Sequence, residues 1–204
     1  MTRRGAAILM AAPTGLTVAA VALALPQVFA GGGPLRAMAN LAALTALTCL
    51  PPLVLLGTRN PLAVQALGLA RAFTVHRALG LVFPALLAIH AGLHTYRFAE
   101  AMGLTSFQAA LALPNTWEMV AGKAALALFL AAWGAALLGT AGRLPRRIWR
   151  PVHLAVHLAA PAAFVHALFR GEDMTRGWLF TAWAVAAATW LAAAAWRALG
   201  PRTA

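Results

Sequence analysis

The chain has 204 residues, of which 62% are hydrophobic and only 10% charged. This composition excludes an ordinary soluble domain and predicts an integral membrane protein. The formal net charge of +12 would suggest a nucleic-acid partner in a soluble protein. Here the bases lie in short connections between apolar runs, where membrane orientation and contact with anionic lipid account for them, so we expect membrane lipid and no nucleic acid as a partner.

Six apolar segments follow one another along the chain, each near the ~20 residues that a helical membrane span requires. The whole chain, residues 1–204, is therefore predicted to be a single all-α integral membrane domain, a six-transmembrane-helix bundle. The predicted helices cover approximately residues 6–30, 37–57, 74–96, 118–141, 151–169 and 178–197.

Two of these segments contain residues that affect where the predicted helix ends. Segment one follows Arg3-Arg4 and ends near Val28-Phe29-Ala30, which resembles a signal-peptidase site. Its apolar run is long for a signal peptide, so we predict a helix that is retained, with removal as the alternative. In segment two, Pro51-Pro52 should kink or end the helix, because proline removes a backbone donor and clashes with the preceding turn.

The distribution of charge predicts the orientation of the bundle. With both termini in the cytoplasm, eleven bases and no acid lie on the cytoplasmic side, which fits the positive-inside rule of a bacterial inner membrane protein. These bases are Arg3, Arg4, Arg59, Arg71, Arg77, Arg143, Arg146, Arg147, Arg150, Arg197 and Arg202. The other side carries five bases and all four acids, namely Arg36, Arg97, Lys123, Arg170, Arg176, Glu100, Glu118, Glu172 and Asp173.

Four histidines form two pairs in segments three and five. His76 and His90 lie 14 residues apart, and His153 and His166 lie 13 residues apart. Each pair would span roughly 20 Å along a helix, about two-thirds of a bilayer core. Two such helices side by side would give two stacked sites, each with two facing imidazoles. This arrangement suits two hemes, one above the other, between helices 3 and 5.

The angular positions of the histidines fit this arrangement on one helix better than on the other. His76 and His90 would lie about 40° apart around an ideal helix, so both can face one partner. His153 and His166 would lie about 140° apart, a poor match on a straight helix. Pro161 lies between them, and we predict that it bends or rewinds segment five.

Other residues leave alternatives open. His94 and His157 follow His90 and His153 by one turn, so each could replace its neighbour as a ligand or act beside it. The single cysteine, Cys49, excludes a Cys-x-x-Cys-His attachment and a cysteine-ligated cluster, so a heme would be non-covalent, of b type. Zinc usually takes four ligands, often cysteine or carboxylate, and the spans contain almost no acid.

The stretch His76-Arg77-Ala78-Leu79-Gly80-Leu81, continuing to His90, resembles the third helix of the ferric reductase-like transmembrane family. The run Trp149-Arg150-Pro151-Val152-His153, followed by Pro161 and His166, resembles the fifth helix of that family. Within it the chain is most similar to the heme-binding membrane subunit, MsrQ or YedZ, of the methionine sulfoxide reductase system. In that pattern the position of His76 is often arginine. Here it completes the four-histidine set typical of ferric reductases and NADPH oxidases, which favours two hemes over one.

The resemblance implies axial ligation by His76 with His153 and by His90 with His166. Electrons would come from a cytoplasmic flavin or NAD(P)H reductase or from quinol. The resemblance leaves open whether FMN or a quinone is bound as well. The expected acceptor is a periplasmic, molybdenum-dependent, MsrP-like methionine sulfoxide reductase, or chelated iron if the chain is closer to ferric reductases. The chain would then be the electron-transfer subunit of an oxidoreductase rather than the subunit that reduces the substrate.

Arginines near the ends of the two helices are candidates for binding heme propionates, although topology alone also explains each of them. They are Arg71, Arg77 and Arg150 on the cytoplasmic side, with Arg97 and Arg170 on the other. A second hypothesis is a heme-free transporter that uses the histidines for metal or protons. It is disfavoured because such proteins usually carry carboxylates within their spans.

Overall fold

The computed structural model describes residues 2–30, 33–57, 60–171, 174–175 and 177–199. Within these residues the chain forms nine helices and no strand. They are α1 (Arg3–Phe29), α2 (Gly33–Gly57), α3 (Pro61–Leu67), α4 (Leu69–Met102), α5 (Ser106–Ala112), α6 (Trp117–Thr140), α7 (Arg146–Leu154), α8 (Val156–Arg170) and α9 (Gly177–Leu199). Some charges used above for the orientation lie outside the described residues, namely Arg59, Arg176, Arg202, Glu172 and Asp173.

Six helical stretches are long and apolar enough to cross a membrane. They are α1, α2, α4, α6, α9 and the continuous stretch Arg146–Arg170, which contains α7 and α8. The prediction of an all-α bundle with six spans is therefore confirmed. The start of α1 and the last turns of α9 lie at the same end of the bundle, since Ala6 and Ala193 belong to one buried cluster.

Helix α4 extends beyond the apolar run from which it was predicted. It has 34 residues and continues through Arg71 and Arg97, since arginine is a good helix former although it marks the end of a hydrophobic segment. Gly103, with φ of 65°, ends the helix in the left-handed conformation that glycine adopts without a Cβ clash. The next N–H, that of Leu104, donates to the Ala99 carbonyl at 2.9 Å, as in a Schellman motif.

Neither Pro51-Pro52 nor Pro161 ends a helix in the structure. Helix α2 continues through Pro51 and Pro52 to Gly57, so they do not end it. The fifth span is interrupted between its two histidines, as the ligand pattern requires, but at Ala155 rather than at Pro161, which lies inside α8. There the N–H of Ala155 donates to the Val152 carbonyl at 3.1 Å and that of Leu158 to the Ala155 carbonyl at 2.9 Å. These three-residue spacings tighten and rotate the helix locally.

Three buried clusters are stacked along the bundle. The first lies at the end where α1 and α4 begin and α2 and α9 end, which we call the basic end because Arg3, Arg71 and Arg197 lie near it. It contains Ala6, Met10, Leu55, Leu56, Ala63, Ala66, Ala72 and Ala193. The central cluster contains Ala46, Leu50, Phe83, Ala125, Phe129, Ala159, Ala160, Phe164 and Ala186. The third lies at the opposite end, with Ala20, Val21, Ala24, Val28, Leu44, Met174, Leu179 and Ala182.

Alanine dominates these clusters, and small side chains let helices in a membrane approach one another closely. The closest pairs are α2 with α4, α6 with α8, and α1 with α2 and α9. Helices α4 and α8 each have a close partner, but they are not among the pairs in extensive contact in the described chain. The space left between them is the site described next.

Candidate functional site

A cleft with about 810 Å³ of empty space, partly open to the surroundings, lies in the half of the bundle nearer the basic end. Its walls come from α2, α4, α6, α7, α8 and α9 and are mainly aliphatic and aromatic. The aromatic residues are Phe83, Phe129, Trp133 and Trp190, and the polar ones are His76, His153, His157 and Arg197. A mainly apolar lining with a few polar groups is typical of a site for an organic ligand or cofactor.

His76 of α4 and His153 of α7 face each other across the cleft. Their ring centroids are 6.3 Å apart and their planes are nearly perpendicular, at 87°. The Nδ1–H of His76 donates to the Leu53 carbonyl of α2 at 3.1 Å. Because a carbonyl only accepts, this bond places the proton on Nδ1 and leaves the Nε2 lone pair of a neutral ring available for a metal.

Gly57 makes this position of the His76 ring sterically accessible. A Cβ at residue 57 would lie 2.9 Å from Cε1 of His76, a distance that real Cβ atoms essentially never show. The absence of a side chain at the end of α2 therefore lets the imidazole lie directly against its backbone. On the other side, Trp149 contacts His153, with ring centroids 6.1 Å apart, and itself packs closely on Gly139.

The second pair of predicted ligands lies toward the opposite end of the bundle and is supported in the same manner. The Nδ1–H of His90 donates to the Ala39 carbonyl of α2 at 2.9 Å. The Nδ1–H of His166 donates to the Glu118 carbonyl of α6 at 2.9 Å. His90 and His166 lie within electrostatic range of each other. Both rings thus adopt the tautomer with a free Nε2 lone pair.

Three of the four histidines therefore share one arrangement, in which a carbonyl of the adjacent helix fixes the ring through Nδ1. Such outer hydrogen bonds usually accompany histidines that ligate metals, because they set the tautomer and raise ligand basicity. His153 differs, since its Nδ1 is buried and has no hydrogen-bond partner. His76 thus lies beside His153, and His90 lies within electrostatic range of His166, which are the two pairs that the resemblance implies. Ligation of a heme by these pairs stays a prediction.

The buried ring nitrogens without a partner are concentrated at the cleft. In the part of the chain that the structure describes, they belong to Trp133, His153 and Trp190. All three residues line the cleft. Buried polar groups in proteins are nearly always hydrogen-bonded, so a concentration of exceptions at one cleft makes it a candidate functional site.

The alternative ligands His94 and His157 have different surroundings. The ring of His94 lies 4.8 Å from that of His90, and its Nε2–H donates to Oδ1 of Asn40 at 3.3 Å. In His94 the hydrogen bond to α2 thus uses Nε2, the atom that remains free in His76, His90 and His166. His157 lines the cleft, one turn beyond His153.

The arginines suggested for propionates do not line the cleft. Arg71, Arg77, Arg150 and Arg170 are exposed and Arg97 is half-buried. Of the arginines that the structure describes, Arg197 of α9 is the one that lines it. From the sequence, Arg197 was predicted only as a topology charge, because its position at the cleft depends on how the last helix packs.

Phe83, which lies on α4 midway between His76 and His90, was also not predicted as a site residue from the sequence. Seven-residue spacing puts all three residues on one face, within about 40° of one another. Phe83 is 6% exposed and packs edge-to-face on Phe129, with ring centroids 5.0 Å apart. The heptad spacing His-Phe-His was the signal that could have identified it as the aromatic layer between the two histidine pairs.

The described residues contain no group of three or more histidine, cysteine, aspartate or glutamate side chains that could hold a metal ion. Two imidazoles that face each other, such as those of His76 and His153, are residues that could hold a heme iron between them.

Comparison with known proteins identifies one family. A family model described as ferric reductase like transmembrane component matches residues 42–164, which are 123 of the 204 residues. No curated protein and no solved structure matches the chain. The matched region runs from α2 to α8 and includes His76, His90 and His153, and it ends two residues before His166.

Proposed function

Since this chain belongs to the ferric reductase-like transmembrane component family, its role is in membrane electron transfer, and we propose that it performs this role with heme b. The observation that carries the proposal is the common support of His76, His90 and His166. In each, Nδ1–H donates to a backbone carbonyl of a neighbouring helix. Three neutral rings with free Nε2 lone pairs inside an apolar bundle are suited to axial ligation of iron.

The residues at the cleft fit a heme. Metal–imidazole bonds of about 2 Å on each side of one ion would separate two ring centroids by about 6 Å. The centroids of His76 and His153 are 6.3 Å apart, which supports ligation by this pair. The mainly apolar lining of the cleft also suits the apolar face of a porphyrin.

We propose that His76 and His153 hold one heme and that His90 and His166 hold a second, closer to the opposite end. When bound, heme b supplies an iron that changes oxidation state by one electron. The protein fixes the ring orientations through the three Nδ1–H bonds and excludes water with the aromatic and aliphatic lining. Phe83 and Phe129 separate the two positions with a packed, apolar layer.

For partners, we propose a cytoplasmic flavin or NAD(P)H reductase, or quinol, as the donor. The acceptor would be a periplasmic MsrP-like methionine sulfoxide reductase, with both termini of this chain in the cytoplasm of a bacterium. The excess of arginine at the basic end supports this orientation. His76 favours a second candidate, a ferric reductase-like or NADPH oxidase-like component with a different acceptor, since four histidines are typical of that group.

Electron transfer across a membrane can be measured directly. The heme-loaded protein is placed in liposomes that contain ferricyanide, and dithionite is added outside. We expect reduction of the internal ferricyanide at least about 100-fold faster than in protein-free liposomes, because the lipid core excludes both ions. A heme-loaded preparation that is no faster than protein-free liposomes would contradict the proposal.

The acceptor is tested with the dithionite-reduced, desalted protein in detergent. Reoxidation by a periplasmic-type methionine sulfoxide reductase with its sulfoxide substrate is compared with reoxidation by ferric citrate. Faster reoxidation by the enzyme is the expected result. Reoxidation by ferric citrate alone would instead favour the ferric reductase-like candidate.

A further inference from the structure

Arg197 has a position that membrane topology alone does not explain. It follows Ala193 by four residues and Trp190 by seven, which places it within about 40° of both around the axis of α9. Ala193 is 1% exposed and Trp190 lines the cleft, so this is the inward face of the helix. Arg197 therefore lines the cleft near the basic end, and its side chain is also exposed to the surroundings.

The charge of Arg197 has no counterpart in the cleft. No aspartate or glutamate occurs among the described residues that line it. The acids that the structure describes, Glu100 and Glu118, lie near the end of α4 and the start of α6, toward the opposite end of the bundle. His157 lies beside Arg197 at the cleft and adds a second hydrogen-bonding group. A guanidinium beside an imidazole matches a carboxylate, which it can bind through two parallel hydrogen bonds.

We propose that Arg197, with His157 beside it, binds a propionate carboxylate of the heme in the cleft, an inference that rests on the proposed function. The apolar ring would lie between His76 and His153, and its charged edge would be directed to the basic end. Arg197 would thereby set the rotation of the ring about the axis of its ligands. An anionic lipid phosphate is the other source of a negative charge at this depth, and the experiment separates the two.

The experiment compares heme with heme dimethyl ester, in which both propionates are esterified and uncharged. Apoprotein in detergent is titrated with each compound, and binding is followed by absorbance. The variants are Arg197→Gln and Arg197→Lys, with Arg143→Gln as the control for an exposed arginine outside the cleft. Size-exclusion chromatography and helical circular dichroism verify that each variant is folded.

We expect Arg197→Gln to weaken heme binding between about 10-fold and 100-fold, the usual effect of losing a charged hydrogen bond. The same variant should bind the dimethyl ester as tightly as the wild type does. Arg197→Lys should retain part of the affinity for heme, because it keeps the charge but loses the paired geometry. Arg143→Gln should match the wild type with both compounds.

Equal weakening with heme and with its ester would overturn the inference and assign Arg197 a purely structural role. Unchanged binding of both compounds would also overturn it, and a loss of affinity for phosphatidylglycerol in the same variant would identify lipid as the true partner. If the wild type binds heme, both results would overturn only the role of Arg197 and leave the proposed function intact. A wild type that binds no heme would overturn the proposed function itself.

Discussion

Replacing His76 with alanine should remove one heme from each chain and leave the second in place. The variant loses an axial ligand whose ring lies 6.3 Å from that of His153, so neither residue alone can hold the iron from both sides. His153→Ala should therefore remove the same heme, and the double variant should lose no more than either single one. His90→Ala and His166→Ala should remove the other heme. Heme per chain, measured by pyridine hemochromogen, gives the result directly.

Thr74→Ala is the matched control for His76→Ala. Thr74 lies on α4 two residues before His76, and its hydroxyl donates to the Ala70 carbonyl of its own helix at 3.1 Å. This control should retain both hemes. Two hemes in His76→Ala would refute its role as a ligand. A loss in His157→Ala with none in His153→Ala would transfer ligation to His157, the alternative that the sequence left open.

Gly122→Ala should release the heme near the opposite end of the bundle. A Cβ at residue 122 would lie 2.5 Å from Nδ1 of His166, so the ring has to move away from α6. This movement breaks the 2.9 Å bond to the Glu118 carbonyl, which fixes the tautomer of His166. Loss of such a supporting bond typically weakens metal binding about 10- to 100-fold. We expect a chain that keeps one heme through purification instead of two.

The control for this change is Gly134→Ala on the same helix. No heavy atom lies within 4 Å of a Cβ built at residue 134. Alanine is favoured over glycine in a helix by about 1 kcal/mol, so this variant should be as stable as the wild type or slightly more stable. Both variants gain the same helix propensity, which isolates the effect of the His166 contact. Equal heme content in Gly122→Ala, Gly134→Ala and the wild type would contradict the role given to Gly122.

The six spans were predictable because an apolar run of about 20 residues has few alternatives to a membrane helix. The ends of the helices were less predictable, since α4 continues past its apolar run through Arg71 and Arg97. Hydropathy reports where the chain leaves the hydrocarbon, whereas helical hydrogen bonding continues wherever the residues permit it. The interruption at Ala155 was predicted at Pro161, because proline is the only local signal and the packing of α7 against α6 is invisible in the sequence.

The histidines were identifiable from their spacing, but their support was not. Backbone carbonyls of Leu53, Ala39 and Glu118 hold three of the rings, and any residue type provides a carbonyl. The roles of Gly57 and Gly122 could not be predicted either, since only the packing reveals that a histidine ring occupies the space of the missing side chain. Arg197 reaches the cleft through the packing of α9, which the local sequence does not encode.

A reduced-minus-oxidised absorption spectrum of the purified protein, with heme counted per chain, tests the central claim most directly. We predict sharp b-type bands and two hemes per chain. One heme per chain would restrict the site to a single pair, which the His76→Ala and His90→Ala variants would identify. The absence of heme, even after expression with added hemin, would contradict the account and favour the use of these histidines for metal or proton transport.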